Sequence, residues 1–200
     1  MNENDTTTDH VKTGRIKFLL IVSIAVIPIV IAYTMYFYVR DWAPSETINE
    51  GELILPPVQI TDIIDRSANQ VPTGKWAILI PSESHCSDSC QQLLFLSRQV
   101  HTGLGKDATR VNRYLLVAGS EVSATTGAII RRDYPDLHIR YIEKSRLEAV
   151  LGPVVGQPFD GNHLFLMDPN GNIMMFYTTE LAGKPMLKDL KHLLRISNIG

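Results

Sequence analysis

The chain contains two cysteines, Cys86 and Cys90, and only three residues separate them. Thiolates at this spacing could bind a soft metal ion or exchange disulfide bonds, and cysteines can also be buried without a chemical role. The usual redox motif is C-x-x-C, so the additional residue favours a metal site over an oxidoreductase. A metal site, a redox pair and two inert residues all remain possible from the spacing alone.

The segment Ser89-Cys90-Gln91-Gln92 has the form of a helix-capping box. It predicts a helix that begins near Ser89, with Cys90 in the first turn and Cys86 on the preceding loop. Unpaired N–H groups at a helix N-terminus favour thiolate over thiol. Within a regular helix the two Cβ atoms would lie about 6 Å apart, too far for a disulfide. With Cys86 on a loop, the sulfurs can converge.

The elements that must position this pair alternate between apolar strands and amphipathic helices. Predicted strands are Trp76–Ile80, Tyr114–Ala118, Leu137–Ile142 and two hairpin strands around Asn170-Gly171; predicted helices are Ser89–Leu104, Ser123–Asp133, Lys144–Leu151 and Pro185–Ile196. The alternation predicts an α/β domain with a parallel core and an antiparallel closing hairpin. This order is typical of a thioredoxin-like fold, a mixed sheet flanked by helices.

A copper site built on the two cysteines would need a third ligand, and the sequence has six histidines. His163 opens a predicted strand after the glycine-containing loop Asp160-Gly-Asn-His163. In the predicted fold this loop lies against the start of the cysteine helix, which makes His163 the favoured third ligand. His101 and His192 are interpreted as surface or packing residues and His138 as part of a core or edge strand, and His10 is expected on the other side of the membrane. His85, beside Cys86, could also reach a metal if its loop turned inward.

An uncharged apolar segment runs from Phe18 to Val39. As a helix it would reach roughly 33 Å, enough to cross a bilayer, and no small-residue cleavage site follows it. Lys12, Arg15 and Lys17 precede it, so the positive-inside rule places the N-terminus in the cytoplasm. The predicted organisation is a cytoplasmic tail (1–17), a transmembrane anchor (18–39), a linker (40–57) and a thioredoxin-like domain (58–200).

The charge pattern excludes one class of partner. The formal net charge is −2, and the sequence has no basic block interleaved with aromatic residues. Nucleic acid is therefore not an expected partner. Arg110 and Arg113, like Arg131 and Arg132, are interpreted as solvent-exposed charges.

Three segments together resemble the Sco family. They are the strand entry Gly74-Lys-Trp76, the motif Cys86-Ser-Asp-Ser-Cys90, and Gly161-Asn-His-Leu-Phe-Leu-Met-Asp-Pro-Asn-Gly171. The similarity extends over about residues 51 to 198 and includes the single N-terminal anchor. Members of this family are membrane-anchored copper-binding proteins with a thioredoxin fold, and they assist assembly of the binuclear copper centre of cytochrome c oxidase.

The resemblance implies a site and a set of partners. Cys86, Cys90 and His163 carry over as ligands of a copper ion, Cu(I) or Cu(II), with no catalytic residue in a strict sense. The implied partners are the copper-containing subunit of cytochrome c oxidase and a copper donor or thiol reductant. The implied location is the inner membrane, with a single span and the domain in the periplasm.

Two other functions are compatible with the same residues. A membrane-tethered thiol-disulfide oxidoreductase would use Cys86 and Cys90 as a redox pair and would be an enzyme, whereas a metallochaperone would not. A non-catalytic scaffold for oxidase assembly would have kept the fold without the chemistry.

Overall fold

The computed structural model describes residues 4–38, 49–64, 73–197 and 199, in two units. The first contains helix α1, Asn4–Tyr38, with Pro28 inside it. Within α1, Lys17–Met35 is long and apolar enough to cross a membrane, with a mean hydropathy of 2.6. This helix agrees with the predicted anchor, although Val39 and the first part of the predicted linker lie outside the described residues.

The second unit begins at Asn49 and contains a six-stranded sheet. The strands are β1 Glu52–Gln59, β2 Trp76–Ser82, β3 Val111–Ala118, β4 Leu137–Ile142, β5 His163–Met167 and β6 Asn172–Thr178. The helices are α2 Asp88–Gly103, α3 Ala124–Asp133, α4 Lys144–Val155 and α5 Lys184–Ile196, with short 3₁₀ turns at Ile60–Asp62 and Gly105–Arg110.

The strand order is β1-β6-β5-β2-β3-β4. β2, β3 and β4 are parallel, whereas β5, β6 and β1 pair in antiparallel fashion. Each parallel connection runs through a helix, as crossover geometry requires. The predicted mixed sheet flanked by helices, with a closing hairpin, is therefore confirmed.

Successive residues of each strand point to opposite faces of the sheet, so two separate apolar cores form. The first core packs α2, α3 and α5 against residues such as Ile78, Ile80 and Leu164. The second core packs α4 against residues such as Leu79 and Phe165 on the other face. Cys86 and Cys90 belong to the first core.

Two sequence-based predictions are wrong. Residues 52–57 were assigned to the linker, but they lie in β1, which pairs with β6 through contacts such as Glu52 with Phe176. Arg113 was interpreted as solvent-exposed, but it is 1% exposed because it lies inside β3 on the first-core face. Its charge is retained there because Asp136 lies 2.9 Å from its guanidinium.

Candidate functional site

The cysteine pair lies where β2 ends and α2 begins. The cap of α2 is Ser87, whose Oγ accepts the Cys90 N–H at 3.3 Å. The predicted capping residue, Ser89, is wrong by two positions, since Ser89 already lies within the first turn. The predicted consequence still holds, because Cys86 precedes the helix and Cys90 occupies its first turn.

Cys86 and Cys90 form a disulfide bond, with their Cα atoms 5.3 Å apart. The prediction that the sulfurs converge when Cys86 lies on the loop is therefore confirmed. Both residues are buried, at 2% and 3% exposure. In this oxidised state the sulfurs carry no thiolate charge and cannot act as metal ligands without prior reduction.

Two buried hydroxyl groups contact the pair, one at each cysteine. Ser82 Oγ lies 3.4 Å from Cys90 Sγ and donates its own proton to the Glu83 carbonyl at 2.8 Å. Thr126 Oγ1, at the start of α3, accepts the Cys86 N–H at 3.0 Å. Sequence reasoning missed both residues.

A sequence signal for one of them existed. Ser82 has the same strand parity as Ile78 and Ile80, so alternation alone places it on the first-core face beneath the cysteine helix. Thr126 has no comparable signal, because its contact with Cys86 joins residues 40 positions apart in the sequence.

The loop before β5 packs against the first turn of α2. Gly161 has a φ of +78°, and a Cβ atom there would lie 3.0 Å from Ser89 Cβ and 3.1 Å from the Cys90 nitrogen. Only glycine fits both the backbone conformation and this close approach. The predicted position of this loop against the cysteine helix is confirmed.

His163 is the first residue of β5, as predicted, but its ring lies on the second-core face. The ring centroid is 5.8 Å from that of Phe176, a second-core residue, and Nδ1 is 3.1 Å from Asp160 Oδ1. The cysteines lie in the first core, on the opposite face. The structure thus brings the His163 loop next to the pair without bringing the imidazole to the sulfurs.

His85, next to Cys86, is exposed, and three other histidines have partners away from the pair. His101 Nε2 lies 3.0 Å from the Ala108 and Val111 carbonyls, His138 contacts the Tyr114 ring, and His192 contacts Arg195. Among the described residues, no group of three or more His, Cys, Asp or Glu side chains is arranged to hold a metal ion. A copper ion bound by Cys86, Cys90 and His163 stays a prediction that requires reduction of the disulfide and movement of the His163 loop.

An ion pair flanks the exit of β2. Lys144 Nζ donates to Glu83 Oε1 at 2.6 Å and lies 5.6 Å from the centre of the Phe159 ring. The hydrogen bond to Glu83 raises the pKa of Lys144, with a further contribution from its charge. Because both partners are exposed, the pair contributes little to stability, but it joins the loop before Cys86 to the start of α4.

Comparison with known proteins assigns the family. Residues 76–197 match the family described as "Transmembrane-like, thioredoxin-like, C-terminal domain". The chain belongs to this family. Residues 9–39 match the companion "Transmembrane-like, N-terminal domain", so this member has both parts, a membrane anchor and a thioredoxin-like domain.

Solved structures similar to this family member include proteins of two kinds. A thiol:disulfide interchange protein from Bacteroides sp. is 19% identical, with 74% of this chain and 91% of that chain covered and a TM-score of 0.44. Yeast Sco1 is 12% identical (62% and 83% covered, TM-score 0.49), and copper-bound ScoI from Bradyrhizobium japonicum is 23% identical (58% and 85% covered, TM-score 0.39). These similarities are too distant to assign an activity. No curated protein matches the chain.

Proposed function

We propose that this protein is a membrane-anchored thiol-disulfide exchange protein whose redox centre is the Cys86–Cys90 pair. The observation that carries the proposal is the disulfide itself, which closes at the N-terminus of α2 in a thioredoxin-like domain. The helix N-terminus favours thiolate after reduction, and a thiolate is the attacking group in disulfide exchange.

The exchange reaction follows from the positions of the two sulfurs. In the reduced protein, the Cys86 thiolate attacks a disulfide sulfur of the substrate protein, and one substrate thiolate leaves. Cys90 then attacks the Cys86 sulfur, which breaks the mixed disulfide and releases the second substrate thiolate. The substrate gains two electrons, the Cys86–Cys90 disulfide re-forms, and an extracytoplasmic dithiol reductant must reduce it for the next cycle.

Cys86 is the attacking residue in this proposal because of its surroundings. It lies on a loop whose neighbours His85 and Ser87 are exposed, whereas Cys90 is held in the first turn of α2 beneath the Gly161 loop. Because Cys86 is itself 2% exposed, attack on a protein substrate requires a local movement of this loop.

The membrane topology belongs to the same proposal. The basic residues before the anchor support a cytoplasmic N-terminus, and the domain would then face the periplasm from the inner membrane. An oxidising compartment is consistent with a disulfide-bonded resting state.

A second function is supported by the His163 loop. This loop contacts the first turn of α2 through Gly161. Copper binding would require His163 to leave its pairing with Thr178 and turn its imidazole to the face of the cysteines. The reduced pair and His163 would then hold Cu(I) or Cu(II) as cargo for the copper-containing subunit of cytochrome c oxidase, as the resemblance to the Sco family implies. Three ligands leave the ion open to an incoming ligand, so transfer can proceed by ligand exchange.

The first experiment tests disulfide exchange with the full-length protein in detergent. The wild-type protein, pre-reduced and freed of reductant, is mixed with a disulfide-bonded protein substrate, and the thiols gained by the substrate, two per protein molecule, are measured by alkylation and mass. Cys86→Ser and Cys90→Ser should each slow this single round of substrate reduction at least a hundredfold, whereas His163→Ala should keep the wild-type rate. Absence of exchange by the wild-type protein would overturn the first proposal.

The second experiment tests copper binding with the same reduced protein under anaerobic conditions. A Cu(I) competition titration is run on wild type, Cys86→Ser, His163→Ala and the matched control His192→Ala, whose ring lies on α5. Stoichiometric binding that is lost in the first variant, weakened in the second and unchanged in the control would support copper handling. No binding by the wild type would remove that function and leave disulfide exchange intact.

A further inference from the structure

Ser82 occupies an unusual place for a polar side chain. It is the last residue of β2, it is 2% exposed, and it lies on the face occupied by the first core. The two preceding residues on the same face, Ile78 and Ile80, are apolar and fully buried. A hydroxyl group buried in such surroundings costs free energy unless it is hydrogen-bonded.

In the oxidised protein, the Ser82 hydroxyl has a partner that is not the disulfide. It donates to the Glu83 carbonyl at 2.8 Å, and its oxygen lies 3.4 Å from Cys90 Sγ. A disulfide sulfur has no proton to donate, so the lone pairs of Ser82 Oγ gain no hydrogen bond from Cys90 in this state.

Reduction changes the chemistry of this contact. Cys90 gains a proton, and its S–H can donate to Ser82 Oγ, while Ser82 continues to donate to Glu83. The new hydrogen bond exists only in the reduced state. It therefore shifts the equilibrium between disulfide and dithiol towards the dithiol.

We infer that Ser82 is a positioning residue that favours the reduced form of the pair through its contact with Cys90. The inference rests on the proposed disulfide exchange and adds a residue to it. Cys86 has no equivalent side-chain partner at its sulfur among the described residues, since Thr126 accepts its backbone N–H instead. Ser82 thus acts on the resolving cysteine alone.

The test is a redox equilibrium of the full-length protein in detergent. The protein is incubated with graded ratios of reduced to oxidised dithiothreitol, quenched with an alkylating reagent, and scored for free cysteines by mass. The step transfers two electrons and two protons from dithiothreitol to the Cys86–Cys90 disulfide. Ser82→Ala should lower the equilibrium constant for reduction about fivefold, as expected for loss of one neutral hydrogen bond.

Two variants distinguish this role from a structural one. Ser82→Thr keeps the hydroxyl and should restore the wild-type equilibrium constant within twofold. Ser97→Ala removes another fully buried hydroxyl, which lies on α2 two turns after Cys90. This hydroxyl donates to the Leu94 carbonyl and accepts from Arg113, so its removal should leave the equilibrium constant for reduction unchanged. Loss of stability shared by both redox states cancels in this measurement.

The experiment distinguishes failure of the role of Ser82 from failure of the proposed disulfide exchange. A wild-type pair that cycles normally, with Ser82→Ala at the same equilibrium constant, would overturn the role of Ser82 and leave the proposed function standing. A shift of equal size in Ser97→Ala would also overturn it. A wild-type disulfide that resists every ratio of dithiothreitol would overturn the proposed exchange and this role together.

Discussion

Buried polar groups lie at both ends of the parallel strands, and they differ in kind. At the amino end, the Arg113 guanidinium donates to Asp136 at 2.9 Å and to Ser97 at 3.2 Å, and lies 5.9 Å from the Tyr134 ring centre. At the carboxyl end, the Cys86–Cys90 disulfide is surrounded by neutral hydroxyls and a glycine loop.

The two ends differ in whether their buried polar groups can change charge or covalent state. Burial lowers the pKa of Arg113, and the charge of Asp136 and its hydrogen bond oppose that shift, so the group remains charged and paired. The disulfide can open by taking up two electrons and two protons, which leaves the net charge unchanged until a thiol ionises. The amino end therefore keeps a single charge state, whereas the carboxyl end can alternate between a disulfide and a dithiol.

The largest effect on stability should come from breaking the amino-end pair. Asp136→Ala would leave the buried Arg113 charge without its carboxylate, which should lower the free energy of unfolding by about 2 kcal/mol, less than for a fully buried pair because Asp136 is half-exposed. Urea denaturation of the full-length protein in detergent measures this. The rate of disulfide exchange by the folded protein should not change.

Asp133→Ala is the matched control for that variant. Its carboxylate pairs with the exposed Arg132 at 2.7 Å, so its removal should leave stability almost unchanged. Equal destabilisation by the two variants would contradict the view that burial of Arg113 makes the Asp136 contact important.

A smaller effect is expected from the glycine loop at the carboxyl end. Gly161→Ala combines backbone strain with a tight contact against the Cys90 nitrogen, and should cost about 1.5 kcal/mol of unfolding free energy. It should also alter the disulfide-exchange rate, because the loop must retreat from α2. Thermal unfolding and stopped-flow exchange assays measure the two effects.

Gly105→Ala separates the two contributions. Gly105 also has a positive φ, +60°, but a Cβ atom there would meet nothing within 4 Å. Its substitution should cost only the backbone strain, about 1 kcal/mol, and leave disulfide exchange unaffected. If the Gly161 and Gly105 variants lose the same stability, the close approach of Gly161 to α2 does not contribute to it.

The smallest effect concerns a third buried polar group, which should make stability depend on pH in alkali. Tyr177 donates to Asp189 Oδ2 at 3.0 Å, and burial, followed by the nearby Asp189 charge, raises its pKa above the usual value. The unfolded chain releases this proton near pH about 10 and the folded protein retains it, so stability should fall as the pH rises above 10.

Tyr177→Phe should flatten that alkaline decline. At pH 7 the variant should be less stable by about 1 kcal/mol, since one hydrogen bond is lost. Denaturation midpoints of both proteins at pH 7, 9 and 10.5 measure the slope. Tyr114→Phe is the comparison variant, because burial also raises the pKa of Tyr114. If neither variant changes the slope of stability against pH, buried tyrosines do not cause the alkaline decline.

Much of the fold could be predicted because alternation and helical periodicity are local properties. The helices after β2 begin close to their predicted positions, and Asn170-Gly171 does join β5 to β6. β1 could not be predicted in this way, because two prolines interrupt its pattern and its partner β6 is more than a hundred residues away. Pairing over that separation leaves no local signature.

The candidate site could be predicted only in part. The position of the pair and the approach of the Gly161 loop follow from strand order, which sequence patterns predict. The face on which His163 lies depends on parity within β5, where it shares a side with Phe165. Arg113 was misjudged because its strand begins at Val111, three residues before the apolar run becomes evident.

The sheet edge formed by β1 affects whether copies of the protein can associate through their sheets. β1 pairs with β6 only at its two ends, and between them Leu55, Pro56 and Pro57 form an exposed irregular segment. Prolines carry no N–H, and an interrupted edge offers no continuous ladder to a neighbouring strand. Anchored copies are confined to one membrane plane and therefore encounter one another often. The interrupted edge disfavours hydrogen bonding between β1 and a strand of a neighbouring copy.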